Sequence, residues 1–397
     1  MAAFYEIPHR ISWRIYEQVV LAPVPLILAF ILAATTSFLL FVPFFLVSKP
    51  RAPGPLEKTY ITSDSIKGRS SIRPLPCWYD SWLQHRKEAE KNDGQSENET
   101  GFIDEPELEM SVVIPAYNEE ERLEAMLEEA VAFLDSEYGR VMRSKEKLVT
   151  DKYQERGNWK GFGGYEILIV DDGSKDKTVD VALAFSQKHG LDDILRICSL
   201  RKNRGKGGAV THGLRHVRGA YALFADADGA SRFSDLGKLV EGCKEVVDTL
   251  GRAVSIGSRS HFVGSEAVVK RSALRNLLMH SFHLLLRFLT PAATSRIRDT
   301  QCGFKLFTRP ALPHIIPYMH TEGWIFDVEI LMLAESAPPA TTKNKEEIGT
   351  GIRVNEIYIN WKEVGGSKLS VLWDCMGMAF DLARLRASWI LGLYKRR

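Results

Sequence analysis

The stretch that most constrains the fold is Ala220–Asp228, with the sequence AYALFADAD. A run of apolar and aromatic residues ends there at Asp226 and Asp228, which are separated by one residue. A buried strand that stops at acidic residues delivers them to the carboxyl edge of a sheet, where open α/β sheets bind ligands. Two carboxylates at this spacing can share a divalent cation, since Mg²⁺ and Mn²⁺ prefer oxygen ligands. So short a motif also suits two solvated turn residues, and the neighbouring segments must decide.

Strand and helix patterns alternate around this stretch. Strands are predicted at Met110–Tyr117, Tyr165–Asp172, Ile194–Leu200, Ala220–Asp228 and Ala253–Ile256. Helical patterns follow them, the first with Asn118 as its predicted N-cap, the next from about Asp176 and another from Asn203. The alternation predicts an α/β fold with a mostly parallel, doubly wound sheet. The second half is less regular, with strands predicted at Gly303–Thr308 and Arg353–Trp361 and a helix at Phe326–Glu335.

Polar residues collect where these strands end. The set consists of Pro115, Tyr117, Glu119, Asp171, Asp172, Lys206, Asp226, Asp228 and Arg259. Acids can serve a base, a ribose and a metal, and a glycine-rich segment with a cation, here NRGKGG at Asn203–Gly208, can serve phosphates. That segment lacks the P-loop spacing. The combination predicts a nucleotide-diphosphate site, although each signal alone is weak.

The amino-terminal region predicts a membrane anchor. Val19–Val47 contains no charged residue, and a spanning helix needs roughly 20 such residues. The run is longer than the apolar core of a signal peptide, so an uncleaved anchor is favoured. Cations cluster on its carboxyl side, which predicts that the bulk of the chain faces the cytosol. They are Lys49, Arg51, Lys58, Lys67, Arg69 and Arg73.

The predicted organisation has five parts. Residues 1–48 form the anchor, 49–109 a linker with a polar insertion, 110–260 the half with the predicted nucleotide-diphosphate site, 261–368 a second half and 369–397 a C-terminal amphipathic helix. Lys270–Thr290 and Leu369–Tyr394 are apolar segments flanked by cations, which suits helices lying in a lipid headgroup region, with burial against the domain as the alternative. The formal net charge of +2 gives no reason to expect nucleic acid. Five cysteines without a CxxC pair indicate free thiols in a reducing compartment.

Several motifs resemble those of a known family. SVVIPAYNEEERL, IVDDGSKDKT, NRGKGGAV, FADADGASRF and GSR resemble the inverting sugar-nucleotide transferases of glycosyltransferase family 2, which have a GT-A fold, a Rossmann-like nucleotide-diphospho-sugar transferase domain. RSALRNLLMHSFHLLLRFL, RDTQCGFKLFTR, GWIFDVEIL and VNEIYINWKEVGGSKL are similar to the members that transfer glucose to dolichyl phosphate at the endoplasmic reticulum. The likeness runs from about Met110 to the end and includes the anchor.

The resemblance implies inverting transfer of glucose from UDP-glucose to dolichyl phosphate. It places Mg²⁺ or Mn²⁺ on Asp226 and Asp228, with direct metal binding or ribose binding left open for Asp226. The implied uridine contacts are Pro115, Tyr117, Glu119, Asp171 and Asp172, with Lys206 near the phosphates. The implied catalytic residues are Asp228, Arg259, Asp299 and Gln301, and the implied contacts of the acceptor phosphate are Arg259, Arg271 and Lys305.

Two other functions fit the same motifs. One is transfer of mannose from GDP-mannose to dolichyl phosphate, and the other is a non-catalytic, membrane-anchored sugar-nucleotide sensor. Asp327 and Glu329 have two interpretations, since they could contact sugar hydroxyls or serve only to cap a helix and pair with arginines.

Overall fold

The computed structural model describes residues 26, 28–37, 50–64, 71–91, 101–140, 163–262, 281, 284–340, 351–365 and 371–392. The chain divides into two compact units, one of residues 1–48, 387–395 and 397, the other of residues 49–386 and 396. In the first unit, residues 26 and 28–37 are helical and exposed. The rest of the predicted span Val19–Val47 lies outside the described residues. Within the described parts of the chain, no helix has the length and apolar character needed to cross a membrane.

The second unit is built on a seven-stranded sheet. Its strands are β3 Leu108–Ala116, β4 Tyr165–Asp171, β5 Leu195–Ser199, β6 Gly219–Ala225, β7 Val254–Ser258, β8 Phe304–Thr308 and β9 Val354–Tyr358. They lie in the order β5-β4-β3-β6-β8-β7-β9. A separate two-stranded sheet pairs β1 Thr59–Tyr60 with β2 Arg73–Pro74. The α-helices are α1 Trp78–Lys91, α2 Leu123–Glu137, α3 Thr178–Lys188, α4 Lys206–Leu214, α5 Leu236–Val246, α6 Phe326–Glu335 and α7 Val371–Ile390.

Helices cover both faces of this sheet. Val112 and Ile114 lie in a buried cluster with apolar residues of α2, α3 and α5. On the other face, α4 approaches so closely that a Cβ added at Gly213 would lie 2.4 Å from Cγ1 of Val113. Because successive strand residues point to opposite faces, the continuous apolar run of β3 serves both layers. The prediction of a doubly wound α/β fold is therefore confirmed.

The sheet is mostly parallel, as predicted, but it is mixed because β8 runs opposite to the other six strands. β8 lies antiparallel between β6 and β7, with Phe304 opposite Ala225. An antiparallel strand begins where its neighbours end, so the residues just before Phe304 arrive at the carboxyl edge of β6. Because β8 lies between β6 and β7, a single sheet contains strands from both sides of residue 260, where the sequence predicts a division into two halves.

The predicted N-cap at Asn118 is wrong. Helix α2 begins at Leu123, and Asn118 has a φ of 55°. Its side-chain oxygen instead accepts a hydrogen bond from the Lys175 amide at 2.8 Å, while the Asn118 amide donates to Ser174 Oγ at 2.9 Å. Asparagine tolerates this left-handed backbone because its short polar side chain bonds locally. The residue thus joins the turn after β3 to the turn after β4.

The predicted linker is partly folded onto the domain. Residues 50–64 and 71–91 are described, and Ile61 forms a β-bridge with Ile197 of β5. Trp82 is 3% exposed, and Trp78 Nε1 donates to the Leu214 carbonyl at 2.7 Å. Two tryptophans supply enough buried area to dock a polar segment that has no apolar periodicity. The polar insertion of this linker, which the sequence predicts at residues 85–107, begins within the last part of α1, and residues 92–100 lie outside the described residues.

The cysteines agree with the prediction of free thiols. None of the five forms a disulfide, and Cys198, Cys243 and Cys302 are buried. Burial raises the pKa of each of these three thiols to about 12, so they remain neutral and inert as nucleophiles.

Two buried histidines on and just after α4 make stability depend on pH. His212 Nε2 donates to the Glu57 carbonyl at 2.7 Å and His216 Nδ1 to the Pro76 carbonyl at 2.7 Å. Burial, with the nearby cation of Arg215, lowers the pKa of His212 to about 3 and that of His216 to about 4. Below about pH 6.5 these histidines therefore bind protons in the unfolded chain but not in the folded chain. The free energy of unfolding falls as the pH falls toward 4.

We expect each histidine to cost on the order of 2 kcal/mol of unfolding free energy at pH 5 relative to pH 7. Urea unfolding of the wild type and of His216→Gln at both pH values measures this cost. The glutamine can still donate to the Pro76 carbonyl but cannot titrate, so the variant should lose correspondingly less stability on acidification. Equal losses in the two proteins would contradict a neutral, buried His216.

Candidate active site

Asp226, Asp228 and Lys206 meet at the carboxyl edge of the sheet. β6 ends at Ala225, so both aspartates lie in the turn that follows it, and Lys206 is the first residue of α4. Lys206 Nζ lies 2.6 Å from Asp226 Oδ1. The same ammonium lies 5.4 Å from the ring centre of Phe224 and 5.9 Å from that of Trp324. Two carboxylates, a cation and two aromatic walls therefore share one location, as the sequence predicts for the first three.

The charges in this cluster are coupled. Burial opposes protonation of Lys206, but the carboxylates of Asp226, Asp327 and Asp228 outweigh it and raise the lysine pKa. Burial, followed by the charge of Asp226, raises the pKa of Asp228. The ionised form of Asp228 is therefore strained by its surroundings, and an added cation would relieve that strain.

The cluster fits a divalent cation that takes two ligands from the protein and its remaining ligands from a substrate and water. Within the described ranges, no group of three or more histidine, cysteine, aspartate or glutamate side chains could hold a metal. Two carboxylates remain, and Mg²⁺ is commonly bound by one or two carboxylates completed by substrate phosphates and water. The backbone supports this use, since a Cβ on Gly303 would lie 1.9 Å from Asp226 Oδ2. Only a glycine at position 303 leaves room for the Asp226 carboxylate.

Asp172 shapes the loop that leads to Lys206. Its Oδ1 accepts from the Arg204 amide at 2.7 Å and its Oδ2 from the Gly205 amide at 2.9 Å. Burial raises the pKa of Asp172 to about 6 against these hydrogen bonds. Asp171 Oδ1 likewise accepts from the Ser174 amide at 3.0 Å. Both carboxylates are buried and bonded to backbone, so in this structure they act on the two loops that surround the predicted uridine site.

The remaining predicted uridine contacts lie at the end of β3. Pro115 and Tyr117 are half-buried there. The Glu119 amide donates to Thr178 Oγ1 at 2.7 Å, and its carboxylate accepts from Arg122 Nε at 2.8 Å. These residues are brought to the same sheet edge as the aspartate pair, and their contact with a nucleotide stays a prediction.

Arg259 and Asp299 form a two-point ion pair beyond β7. Arg259 Nε lies 2.7 Å from Asp299 Oδ2 and Nη2 lies 2.8 Å from Oδ1. The Arg259 amide also donates to Asp299 Oδ2 at 2.9 Å. Burial opposes both charges, but each partner stabilises the other, which raises the pKa of Arg259 and lowers that of Asp299. The guanidinium side chain is 33% exposed, and it lies 5.7 Å from the ring centre of Trp361, so one part of it faces solvent.

Gln301 connects the site to the C-terminal helix. Its Nε2 donates to Met378 Sδ of α7 at 3.2 Å. A Cβ on Gly323, the residue before Trp324, would lie 3.7 Å from Asp381 Oδ2 of the same helix. The first part of α7 therefore lies beside the loops that carry Gln301 and Trp324.

Lys305 lies inside the protein. This lysine of β8 has no exposed surface, and its Nζ donates to Asp327 and, at 2.6 Å, to the Cys302 carbonyl. It is a buried partner of Asp327, and its contact with the acceptor phosphate stays a prediction. Asp327 and Glu329 also have structural roles, since Glu329 accepts from the His320 and Thr321 amides at 2.9 and 2.8 Å. Arg271 lies outside the described residues.

The comparisons with known proteins agree with this geometry. Residues 111–314 match the family model described as "Glycosyl transferase family 2". A dolichyl-phosphate beta-glucosyltransferase of Saccharomyces cerevisiae is 41% identical, over 87% of this chain and 88% of that protein. Proteins of the same name from Drosophila melanogaster and Homo sapiens are 40% and 39% identical, covering 74% and 78% of this chain and 78% and 86% of their own. The chain belongs to glycosyl transferase family 2 and, within it, to the dolichyl-phosphate β-glucosyltransferases.

Proposed function

We propose that this chain transfers glucose from UDP-glucose to dolichyl phosphate, with inversion, to give dolichyl β-D-glucosyl phosphate for protein N-glycosylation. The observation that carries the proposal is that Asp226, Asp228 and Lys206 lie together at one sheet edge. The chain that holds them is 41% identical to a dolichyl-phosphate beta-glucosyltransferase. The relatives' names supply the substrate classes. The site supplies the charges that a nucleotide-diphosphate leaving group needs.

Asp226 and Asp228 would hold Mg²⁺ or Mn²⁺ against the pyrophosphate of the donor. When bound there, the metal would supply Lewis-acid stabilisation of the negative charge on the leaving diphosphate. Lys206 adds a cation at the start of α4, where the helix dipole also favours anions. Asp172 holds the preceding loop through the Arg204 and Gly205 amides, which fixes the position from which Lys206 reaches the site. Most of the protein's contribution is therefore positioning and charge.

The acceptor needs no dedicated general base. A phosphate monoester has its second pKa near ~6, so its attacking oxygen is already ionised at neutral pH. The chain must instead tolerate an anionic acceptor next to an anionic donor. Arg259 is suited to this, because Asp299 fixes its orientation at two points while part of the guanidinium stays exposed. Asp299 and Gln301 bracket the turn before β8 and are proposed to lie near the sugar.

We also propose a single-pass protein of the endoplasmic reticulum membrane with its catalytic domain in the cytosol. The uncharged run Val19–Val47 and the cations that follow it support this placement. Exposed apolar side chains also support membrane association. They are Leu284, Leu285 and Phe288 on the helical residues 284–289, and Met376 and Phe380 on α7.

The test is incubation of membranes containing the full chain with labelled UDP-glucose and dolichyl phosphate. We expect a glucose-labelled lipid that requires Mg²⁺ or Mn²⁺ and does not form from labelled GDP-mannose. Omission of dolichyl phosphate and addition of a chelator are the controls. Absence of the labelled glucolipid, or preference for the mannose donor, would overturn the proposal.

A further inference from the structure

A short segment between the predicted anchor and the folded domain is built into the nucleotide side of the site. We call residues 51–57 the strap. The strap contacts two loops of the site, residues 201–205 before Lys206 and residues 320–324 with Trp324. Neither contact is suggested by the sequence, because the strap is a short segment rich in proline and glycine with no helical or strand periodicity.

Glu57 is the centre of the strap. It is 4% exposed, and both of its carboxylate oxygens are used. Oε1 accepts from the Arg201 amide at 2.9 Å, and Oε2 accepts from the Gly54 amide at 2.7 Å and from Arg204 Nη2 at 2.5 Å. Although burial opposes ionisation, these partners outweigh it and lower the Glu57 pKa. A single buried charge therefore holds both ends of the loop 201–204.

Arg204 carries this contact toward the site. Its guanidinium also donates to the Arg51 carbonyl at 2.5 Å and to the Ala52 carbonyl at 3.2 Å, so the strap surrounds it. Its own amide and that of Gly205 are the two donors to Asp172. Gly205 has a φ of +85° and Lys206 follows at once, so the direction of the loop at Arg204 decides where Lys206 enters the site.

Arg51 fastens the second loop. Its Nε lies 2.7 Å from Glu322 Oε2, and its Nη1 donates to the Asn203 carbonyl at 3.1 Å. The Glu322 carbonyl in turn accepts from the Gly208 amide of α4 at 3.1 Å. A Cβ on Gly205 would lie 2.6 Å from that same carbonyl, which shows how closely the two loops pack. Through Arg51, the strap holds these loops against each other.

We propose that Glu57 is a positioning residue for donor binding, acting through Arg204 on the loop that places Lys206 at the nucleotide diphosphate. The inference rests on the proposed function, since it assumes that the site binds UDP-glucose. It assigns to the segment just after the predicted anchor a part in donor affinity. No step of the reaction passes through Glu57 itself.

The test compares Glu57→Gln with Glu166→Gln in the full chain. Glu166 is the matched control, because it is also buried and paired with arginine, Arg218 Nη2 at 2.8 Å, but lies at the amino end of β4. We expect Glu57→Gln to weaken UDP binding about ten-fold and to raise KM for UDP-glucose similarly, with kcat and KM for dolichyl phosphate near wild type. Glu166→Gln should lower the melting temperature and leave UDP affinity unchanged.

A double-mutant cycle with Arg204→Met separates positioning from loss of stability. If Glu57 acts through Arg204, the double variant should bind UDP no more weakly than the worse single variant. Additive losses of affinity, or a Glu57→Gln variant with normal UDP affinity, would overturn the inference. A variant that only melts earlier, with an unchanged Kd for its folded fraction, would do the same. Failure of the wild type to bind UDP would instead refute the proposed function.

Discussion

Replacing Asp228 with asparagine is expected to reduce glucose transfer by roughly three orders of magnitude, the equivalent of about 4 kcal/mol of transition-state stabilisation. Asparagine removes the negative charge that a bound cation requires. It keeps the shape of the side chain and the oxygen that accepts from the Ala230 amide at 3.0 Å. The rate with saturating Mg²⁺ or Mn²⁺ measures the loss.

The same substitution should leave the fold intact. Because burial and Asp226 raise the pKa of Asp228, its ionised form costs the folded state free energy above the carboxyl pKa of the unfolded chain, and asparagine removes that cost. The melting temperature should therefore be unchanged or slightly higher. Mn²⁺ binding in the presence of UDP gives a second measure, which should be lost with activity.

Asp80→Asn is the matched control. Asp80 lies on α1, pairs with Lys58 at 2.8 Å and has a side chain that is 48% exposed. An exposed ion pair contributes little to stability, so this variant should transfer glucose at the wild-type rate. Near-normal transfer by Asp228→Asn with either metal would remove Asp228 from the metal site.

The sequence predicts the core strands of this fold because a buried strand can be recognised from its own run of apolar residues. β3, β4, β5 and β6 are mostly apolar, with isolated polar residues such as Glu166 and Arg196, and each stops at a polar turn where a parallel strand reaches the sheet edge. The site residues Asp226, Asp228 and Lys206 follow from those endings. Helix α6 is likewise predicted with its observed bounds, Phe326–Glu335.

Features that depend on pairing between distant segments are not predictable in this way. The antiparallel place of β8 depends on its contacts with β6 and β7, and no local pattern distinguishes it from a parallel strand. A lysine is ordinarily solvated, and Lys305 is buried only because it pairs with the buried Asp327. The role of Glu57 is not predictable for the same reason, since its partner Arg204 is remote in sequence.

The glycines of NRGKGG have a second role that the sequence does not suggest. They predict a backbone open to phosphate, yet a Cβ on Gly207 would lie 2.6 Å from Phe326 Cβ. Close packing of α4 on the segment before and within α6 therefore already requires a glycine at that position. A phosphate-binding loop and a packing contact leave the same trace in a sequence, and here the structure shows the packing.

Gly303→Ala should reduce transfer by about a hundred-fold, although Gly303 is not among the site residues that the sequence predicts. A Cβ there would lie 1.9 Å from Oδ2 and 2.2 Å from Cγ of Asp226, so the carboxylate must move. Since the Gly303 carbonyl also accepts from the Asp226 amide at 3.0 Å, the two backbones cannot separate without breaking the junction of β6 and β8. A displacement of about 1 Å at a catalytic group is enough for a loss of this size.

The control is Gly237→Ala on α5, where the nearest atom to an added Cβ is Phe133 Cζ at 3.9 Å. Alanine there should raise the free energy of unfolding by about 0.5–1 kcal/mol and leave transfer unchanged, because a helix interior favours alanine over glycine. Initial rates and thermal unfolding of both variants provide the measurement. Gly303→Ala should lose about 1–3 kcal/mol of stability from overpacking but still fold. If it instead keeps normal kinetics, the carboxylate of Asp226 is free to move during catalysis, and its place against Gly303 is not the one the reaction uses.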